Sequence, residues 1–305
     1  MNLFTRLLLG LGLWVSALLG LSPLGLSSLH AAEAVYKPFV LGSHQEGAPE
    51  AVAAAAKKAL QGAGLEVVGE YGPYPGTHLL IVSSPELRRL ASQSENGAFG
   101  AVQRVAVVAD GTKVQVSYTN PFYMQHAYRM KGDLGPVAKQ LEAALGKLQE
   151  FGIETALSAK ALGKYHYMIS RPYFEDVDAL AEYPDQATAL AAVEAGLAAK
   201  KGGVSKVFRV DIEGKPETLF GVSLTQKSSG DAFVMKEIDF KPLKSAAHLP
   251  YEMLVVKGKV IALPADYRIA INFPELSMMG ANSFMNIMSA PGDTHDALSA
   301  AAKNK

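Results

Sequence analysis

Histidine and methionine are the side chains of this sequence with the clearest potential for chemistry. His126 and Met130 are four residues apart in "PFYMQHAYRM", so on a helix they would share a face. His166 and Met168 are two apart in "YHYMISRPYF", so on a strand they would point to the same side. Imidazole with thioether suits Cu(I) or the two axial positions of a haem. These four residues are the candidate metal ligands.

The same residue pairs also have an ordinary structural interpretation, in which they pack a helix face and a sheet. This interpretation also fits "INFPELSMMGANSFMNIMSAPG", residues 271–292. At about 100° per residue, Met278, Ala281, Met285 and Met288 lie on one side of a helix. We therefore expect this last helix to pack its methionines against the core, leaving only Met279 off the buried stripe.

The densest aromatic stretch of the chain is the candidate ligand-binding segment. Aromatic rings in a cleft between two similar halves would bind a small molecule. His248 belongs to the same candidate site because it lies in a loop before a strand, where a histidine is rarely buried in a core. The candidate ligand-binding residues are Tyr165, His166, Tyr167, Tyr173, His248 and Tyr251.

Composition excludes several classes of function. The chain has 305 residues, of which 49% are hydrophobic and 19% charged, a composition typical of a globular protein. Its 29 basic residues balance its 29 acidic residues, so no overall field attracts nucleic acid. The chain contains no cysteine, which excludes disulfides, thiolate metal sites, covalent haem attachment through cysteine and a cysteine nucleophile.

The N-terminus predicts export. Residues 1–6 carry one arginine, residues 7–21 are an apolar run, and "LHAAEA" offers cleavage after Ala31 or Ala34. This is the pattern of a secretory signal peptide over residues 1–34, and the alternative is an uncleaved membrane anchor. No later stretch is apolar enough to span a membrane, so we expect a periplasmic protein with no membrane span after cleavage.

The rest of the chain predicts two similar halves, residues 35–155 and 156–305. Each reads as a strand, a helix, two strands, a helix and a hairpin, which indicates an α+β or α/β fold with a mixed sheet covered by helices. The first hairpin turns at Asp110-Gly111. We interpret the segment "VQVSYTNP" in the first half as the match of "YRIAINFP" in the second, each as a strand that ends at a proline. We interpret the halves as a tandem duplication.

The element order and "LPYEMLVVKGKVIAL", with a following "FP", resemble the domain-of-unknown-function 302 family, here in two copies. The matching features are Leu249-Pro250 before a strand, a hairpin, and a proline that ends the next strand. The first half has "GAVQRVAVV" where the Leu-Pro would stand. The resemblance implies a compact α/β fold, no established activity and no catalytic residues to carry over.

No catalytic residue can be named from the sequence, because no zinc-protease, nucleophile-elbow, phosphate-loop or EF-hand motif occurs. We expect a periplasmic binding protein rather than an enzyme, which binds a small molecule or a periplasmic protein and carries no cofactor. The alternative is a copper- or haem-binding protein that uses the histidine and methionine ligands named above.

Overall fold

The computed structural model describes residues 33–167 and 171–304. Within them, the residues from Ala34 onward form one compact unit with one continuous hydrophobic core. None of the helices in these two ranges is both long and apolar enough to cross a membrane. The predicted signal peptide falls almost entirely on residues outside the described ranges.

The first half builds a six-stranded sheet. Its strands lie side by side in the order β3-β4-β5-β6-β2-β7, and every pair is antiparallel. The elements of this half are β1 (Val35–Tyr36), β2 (Phe39–Glu46), α1 (Pro49–Gly62), β3 (Glu66–Tyr71), β4 (Thr77–Ser83), α2 (Pro85–Ala91), β5 (Gln103–Asp110), β6 (Lys113–Thr119), α3 (Pro121–Ala127), α4 (Gly135–Leu145) and β7 (Gln149–Phe151).

The second half builds a five-stranded sheet in the order β10-β11-β12-β13-β9, again antiparallel throughout. Strand β8 belongs to neither large sheet, because it pairs with β1. The elements are β8 (Leu157–Ser158), α5 (Ala159–Leu162), β9 (Asp178–Glu182), α6 (Gln186–Ala198), β10 (Val204–Asp211), β11 (Glu217–Leu224), α7 (Asp231–Ile238), β12 (Tyr251–Val256), β13 (Lys259–Ala262), α8 (Ala265–Asn272) and α9 (Ala290–Lys303).

The predicted α+β class is confirmed, although the sheets are antiparallel rather than mixed. If β2 is matched with β9, and each later element with the next one along, the two halves have the same sequence of helices and, apart from β7, the same strand order. The outer strands β3 and β10 even share an irregularity, between Val67 and Gly69 in one and between Lys206 and Phe208 in the other. A duplication would produce this correspondence, and the duplication itself stays a prediction.

Helix starts and turns follow the local signals of the sequence. Ser84 caps α2 by accepting a hydrogen bond from the backbone N–H of Leu87 at 3.1 Å, which satisfies one of the free N–H groups at a helix start. Asp185 caps α6 in the same way, through the N–H of Thr188 at 2.7 Å. Gly111 turns the β5–β6 hairpin with a φ of 61°, a conformation that glycine adopts without a steric penalty.

Each half places a short 3₁₀ helix on the sheet of the other half. Residues Gly97–Gly100 contact β11 and β12, whereas Ala246–His248 contact β4, β5 and β6. Helices α1 and α4 contact the first sheet, and α6 and α9 contact the second. The outer strands β3 and β10 also meet, since a Cβ added at Gly69 would lie 2.6 Å from the carbonyl oxygen of Val207. The two halves therefore share extensive packing.

The expected match between "VQVSYTNP" and "YRIAINFP" is wrong. The first segment lies in β6, but "YRIAIN" is helix α8, which begins at Ala265 after Pro264. Pro264 is favourable at a helix start and cannot donate within a sheet ladder. The residues that correspond in space are the starts of α3 and α8, "NPFY" and "PADY". Pro274 therefore follows a helix and does not end a strand.

The expected buried methionine helix is also wrong. Residues 275–283 form turns, Phe284–Ile287 is a 3₁₀ helix, and α9 begins only at Ala290. Met285 and Met288 lie on the surface, whereas Met278 is partly buried against the core. Gly280, with a φ of 101°, breaks the helical periodicity on which the expectation depended.

Candidate functional site

Residues of both halves line a cleft of about 400 Å³, which we call the inter-half cleft. One wall comes from the β3–β4 turn and the end of β5, and the other from α7 and the loop that follows it. This volume is within the usual range for small-molecule pockets. The lining residues are Tyr74, Pro75, Gly76, Thr77, Val108, Ala109, Ala232, Met235, Lys236, Asp239 and Lys244.

The charged groups of the cleft all come from the second half. Lys244 is held in place because its Nζ donates to the carbonyl oxygens of Asp239 at 3.2 Å and Lys241 at 2.9 Å. Lys236 is exposed on α7, and its ammonium group makes no hydrogen bond or ion pair within the described residues. Lys236 is therefore the cation that is available to a ligand.

Asp239 lies at the C-terminal end of α7 and changes charge near neutral pH. Burial raises the pKa of Asp239 to about 7, against the opposing effects of the Ser245 N–H and of Lys244. The Ser245 N–H donates to Oδ1 at 2.8 Å. Burial also raises the pKa of Tyr74 on the opposite wall, and Asp239 raises it further. The cleft thus combines a cation, a titrating carboxyl and a phenol with an apolar surface.

A neighbouring cavity, which also includes Asp239, is much smaller. It lies between Gly152, Phe240 and Glu275 and holds about 20 Å³. That volume is close to the space needed for a single water molecule. The inter-half cleft is therefore the better candidate for an organic ligand.

A fully buried ionic cluster lies between the halves. Glu252 on β12 forms an ion pair with Arg104 on β5 and another with Arg268 on α8, the latter at 2.5 Å. All three side chains are almost completely inaccessible to solvent. Burial and the nearby Arg268 lower the pKa of Arg104 to about 10. Two arginines facing one carboxylate leave an excess positive charge inside the protein, which is costly unless other groups share it.

Tyr128, which follows α3, stabilises this excess charge. Its hydroxyl accepts a hydrogen bond from Arg268 Nη1 at 3.3 Å. Burial acts to raise the pKa of Tyr128, but Arg268 and Arg104 outweigh burial and lower it. Arg268 Nη2 also donates to the carbonyl oxygens of His248 at 2.6 Å and Pro250 at 3.0 Å. Because these two carbonyls flank Leu249, the Leu-Pro singled out in the sequence, whose peptide bond is cis, lies beside this cluster.

Arg104 and Glu252 occupy the same position in their two sheets. In each sheet, the residue just after the irregularity of the outer strand pairs with a residue on the second strand. That second residue in turn pairs with the charged residue on the third strand. The chains of paired residues are Gly69–Ile81–Arg104 and Phe208–Gly221–Glu252. An arginine in one half and a glutamate in the other therefore face each other across the interface.

Helix α7 connects the ionic cluster to the cleft. Asp231, its first residue, is buried and accepts hydrogen bonds from the Tyr71 hydroxyl and the Leu224 N–H, both at 3.2 Å. Burial raises the pKa of Tyr71, and Asp231 raises it further, whereas Arg104 lowers it. Asp231 therefore fixes α7 against β3 of the first half. This contact positions Ala232, Met235 and Lys236 along the wall of the cleft.

The candidate ligand-binding residues do not line the inter-half cleft. Tyr165 and Tyr167 are half-buried, and their hydroxyls donate to the carbonyl oxygens of Ala270 and Leu276, both at 2.9 Å. The rings of His166 and Tyr173 lie 4.5 Å apart. Described residues 164–167 and 171–177 form no strand, so the predicted strand for this segment is wrong. Gly163 precedes this segment and Pro172 interrupts it.

The expectation that His248 lies outside the core is wrong. His248 is inaccessible to solvent, and its ring lies 5.4 Å from those of Tyr251 and Phe273. Burial lowers the pKa of His248 well below its ordinary value, and Arg268 and Arg104 lower it further. Tyr251 is buried beside it and its hydroxyl lies 3.4 Å from His248 Nε2. Both residues pack the interface between the halves.

The predicted pairing of His126 with Met130 on one helix is wrong. Helix α3 ends at Ala127, and Arg129 turns the chain with a φ of 50° before Met130. Met130 is buried against Gly100, whereas His126 is half-buried beside Tyr36. Met168 lies outside the described residues. In residues 33–167 and 171–304, no three histidine or acidic side chains are grouped to hold a metal ion.

Sequence reasoning missed Arg104, Glu252, Lys236 and Asp239. A usable signal was present for the first two, because each is a charged residue inside an otherwise apolar β run, "VQRVAVV" and "PYEMLVV". A charge in such a run is buried only with a partner. Lys236 and Asp239 carry no comparable signal, since lysine and aspartate near the end of an amphipathic helix are common on surfaces.

Comparison of the chain with protein-family models, with curated proteins and with solved structures gave no match.

Proposed function

We propose that this is an exported binding protein that holds a small organic acid in the inter-half cleft. The observation that carries the proposal is the cleft itself, about 400 Å³ lined by both halves and bearing an exposed lysine over an apolar surface. Pockets of this kind bind an apolar body by burial and fix its orientation with a few polar groups. Lys236 supplies the charge, and Tyr74, Pro75 and Met235 supply the apolar surface.

A carboxylate is the ligand group that fits this electrostatic arrangement. Lys236 and Lys244 outnumber Asp239, and the pKa of Asp239 at about 7 means that much of this carboxyl is uncharged at neutral pH. An ammonium ligand would face two lysines.

The export part of the proposal depends on the signal-peptide pattern of residues 1–34 and is tested by determining the mature N-terminus by mass spectrometry. A start at Ala32 or at Val35 agrees with cleavage, and an intact N-terminus contradicts it.

A thermal-shift assay tests the ligand class, because a ligand of the native state raises the melting temperature. The probes are sodium benzoate and phenylacetate, with benzylamine as the size-matched cation. We expect the two carboxylates at millimolar concentration to raise the melting temperature and benzylamine not to. Equal shifts with benzylamine, or none with either carboxylate, would contradict the proposal.

Two variants locate the effect in the cleft. Ala232 lines the cleft and is exposed on α7, so Ala232→Trp fills the cleft without disturbing the core. Ala187, exposed on α6, gives the matched control Ala187→Trp. We expect the carboxylate shift to disappear in Ala232→Trp and to persist in Ala187→Trp. Persistence in both variants would place binding elsewhere.

A further inference from the structure

Seven of the eight methionines in residues 33–167 and 171–304 fall into two classes that differ sharply in exposure, and the eighth, Met278, is partly buried. Met279, Met285 and Met288 are 75%, 49% and 61% exposed. By contrast, Met124, Met130, Met235 and Met253 are no more than 7% exposed. Among the described residues, the three exposed methionines thus belong to one short segment between α8 and α9, residues 277–289, which we call the methionine loop.

The methionine loop is folded by its own hydrogen bonds. The Phe284 N–H donates to the Ser277 carbonyl at 2.8 Å, and the Met285 N–H donates to the Met278 carbonyl at 3.2 Å. The Ser283 hydroxyl donates to the Gly280 carbonyl at 2.8 Å. Since backbone and serine groups supply these bonds, the loop conformation does not depend on its exposed thioethers. Their chemical modification can proceed without opening the core.

Thioethers are the only sulfur groups that an oxidant can meet on this protein, because the chain has no cysteine. A thioether sulfur attacks one oxygen of hydrogen peroxide, the O–O bond breaks, and the products are methionine sulfoxide and water. The sulfur is oxidised by two electrons and the peroxide is reduced by two. The sulfoxide is polar, and sulfoxide reductases convert it back to the thioether.

We propose that the methionine loop is a reversible oxidation site, at which Met279, Met285 and Met288 take up oxygen atoms from peroxide while the core methionines stay reduced. Oxidation replaces three exposed apolar groups by polar ones. It leaves the buried packing of Met235 and Met253 unchanged, so the protein keeps its fold through the cycle.

The test treats the folded protein with hydrogen peroxide and follows each methionine by peptide mapping. We expect Met279, Met285 and Met288 to gain about 16 Da each, at rates at least tenfold higher than Met124, Met235 and Met253. Subsequent treatment with methionine sulfoxide reductases A and B, with a thiol reductant, should restore the original masses. Oxidation of the core methionines at the same rate, or failure of the enzymes to restore the loop, would overturn the proposal.

A variant identifies the loop as the fast-reacting site. In Met279→Leu/Met285→Leu/Met288→Leu the rapid mass increase should be lost, whereas Met124→Leu should retain it. Circular dichroism after oxidation of the wild-type protein gives a second readout that needs no variant. We expect an unchanged spectrum after three oxygen additions; a loss of helical signal at that stage would show that oxidation disrupts the fold and would overturn the proposal.

Discussion

Tyr123 and Tyr267 make the same hydrogen bond in opposite directions. The Tyr123 hydroxyl, on α3, donates to the Ile271 carbonyl on α8 at 2.8 Å, and the Tyr267 hydroxyl, on α8, donates to the Ala127 carbonyl on α3 at 2.9 Å. Each tyrosine is the third residue of its helix, and each acceptor is the seventh. Two helices that exchange equivalent contacts are expected of a duplicated unit packed around a pseudo-two-fold axis.

This reciprocity predicts equal effects of two conservative substitutions. Tyr123→Phe and Tyr267→Phe each remove one buried hydroxyl and leave one carbonyl without that donor. We expect each to lower the free energy of unfolding by about 1–2 kcal/mol, with the two values within about 0.5 kcal/mol of each other. Urea unfolding followed by circular dichroism measures both. A large loss of unfolding free energy for one substitution and none for the other would show that the two contacts are not equivalent.

The buried ionic cluster predicts a large effect for one isosteric substitution. Glu252→Gln leaves Arg104 and Arg268 buried without their counter-charge, and we expect a loss of about 3–5 kcal/mol of unfolding free energy. Glu70→Gln is the control, because Glu70 pairs with Lys57 on the surface, where such a pair is worth less than about 1 kcal/mol. Chemical denaturation compares the two. Similar small losses would mean that the cluster does not hold the halves together.

Asp231 predicts a stability that falls as pH rises. Burial raises the pKa of Asp231 from 3.8 to about 7 in the folded protein, so the folded state keeps a proton that the unfolded state loses above pH 4. The stability contribution is therefore complete below pH 4 and is lost as pH rises to about 7. At 1.36 kcal/mol per pH unit, the loss is at most about 4 kcal/mol.

The variant Asp231→Asn tests this dependence, since its amide oxygen can still accept from Tyr71 and Leu224. We expect Asp231→Asn to be more stable than the wild-type protein at pH 8, with the difference shrinking towards pH 4. Urea midpoints at pH 4, 6 and 8 measure it. A difference that is constant across this range would contradict the assignment.

Asp239 predicts the pH dependence of carboxylate binding. Its carboxyl, whose pKa burial raises to about 7, is neutral at lower pH and negative at higher pH. A bound carboxylate is repelled only by the ionised form, so we expect benzoate to bind more weakly at pH 8 than at pH 6, by about tenfold at most. Calorimetric titration measures the ratio. Asp239→Asn should bind benzoate equally well at both pH values. If this variant shows the same ratio of affinities at pH 6 and pH 8 as the wild-type protein, Asp239 is not the source of the pH dependence.

Much of the fold followed from sequence pattern, while the candidate site did not. Helix starts at Ser84 and Asp185 and the hairpin at Gly111 depend on residues close in sequence, so local signals sufficed for the elements. The identity of "YRIAIN" as a helix depended on Pro264 and on packing against α3. Such contacts between distant segments leave no periodic pattern in the chain.

The site was beyond prediction because it depends on distance in space. Lys236 and Tyr74 are 162 positions apart in the sequence and share the cleft only because α7 packs against β3. The aromatic segment around Tyr165 looked more suitable by composition, yet its hydroxyls satisfy carbonyls of the same protein. The predicted small-molecule binding remains a prediction, now with a different location.

The most direct test of the cleft as a ligand site is a benzoate titration followed by NMR of ¹³C-labelled methionine methyl groups. Met235 lines the cleft, whereas Met253 is buried in the core and Met279 is on the surface. Met235→Leu assigns the reporting resonance. Lys236→Glu removes the proposed cation, and Lys58→Glu, on the exposed face of α1, is its control. We predict that benzoate shifts the Met235 methyl signal saturably in the wild-type protein and in Lys58→Glu. The shift should be absent in Lys236→Glu. The methyl signals of Met253 and Met279 should not change. A Met235 signal that stays fixed, or that shifts equally in Lys236→Glu, would contradict the account.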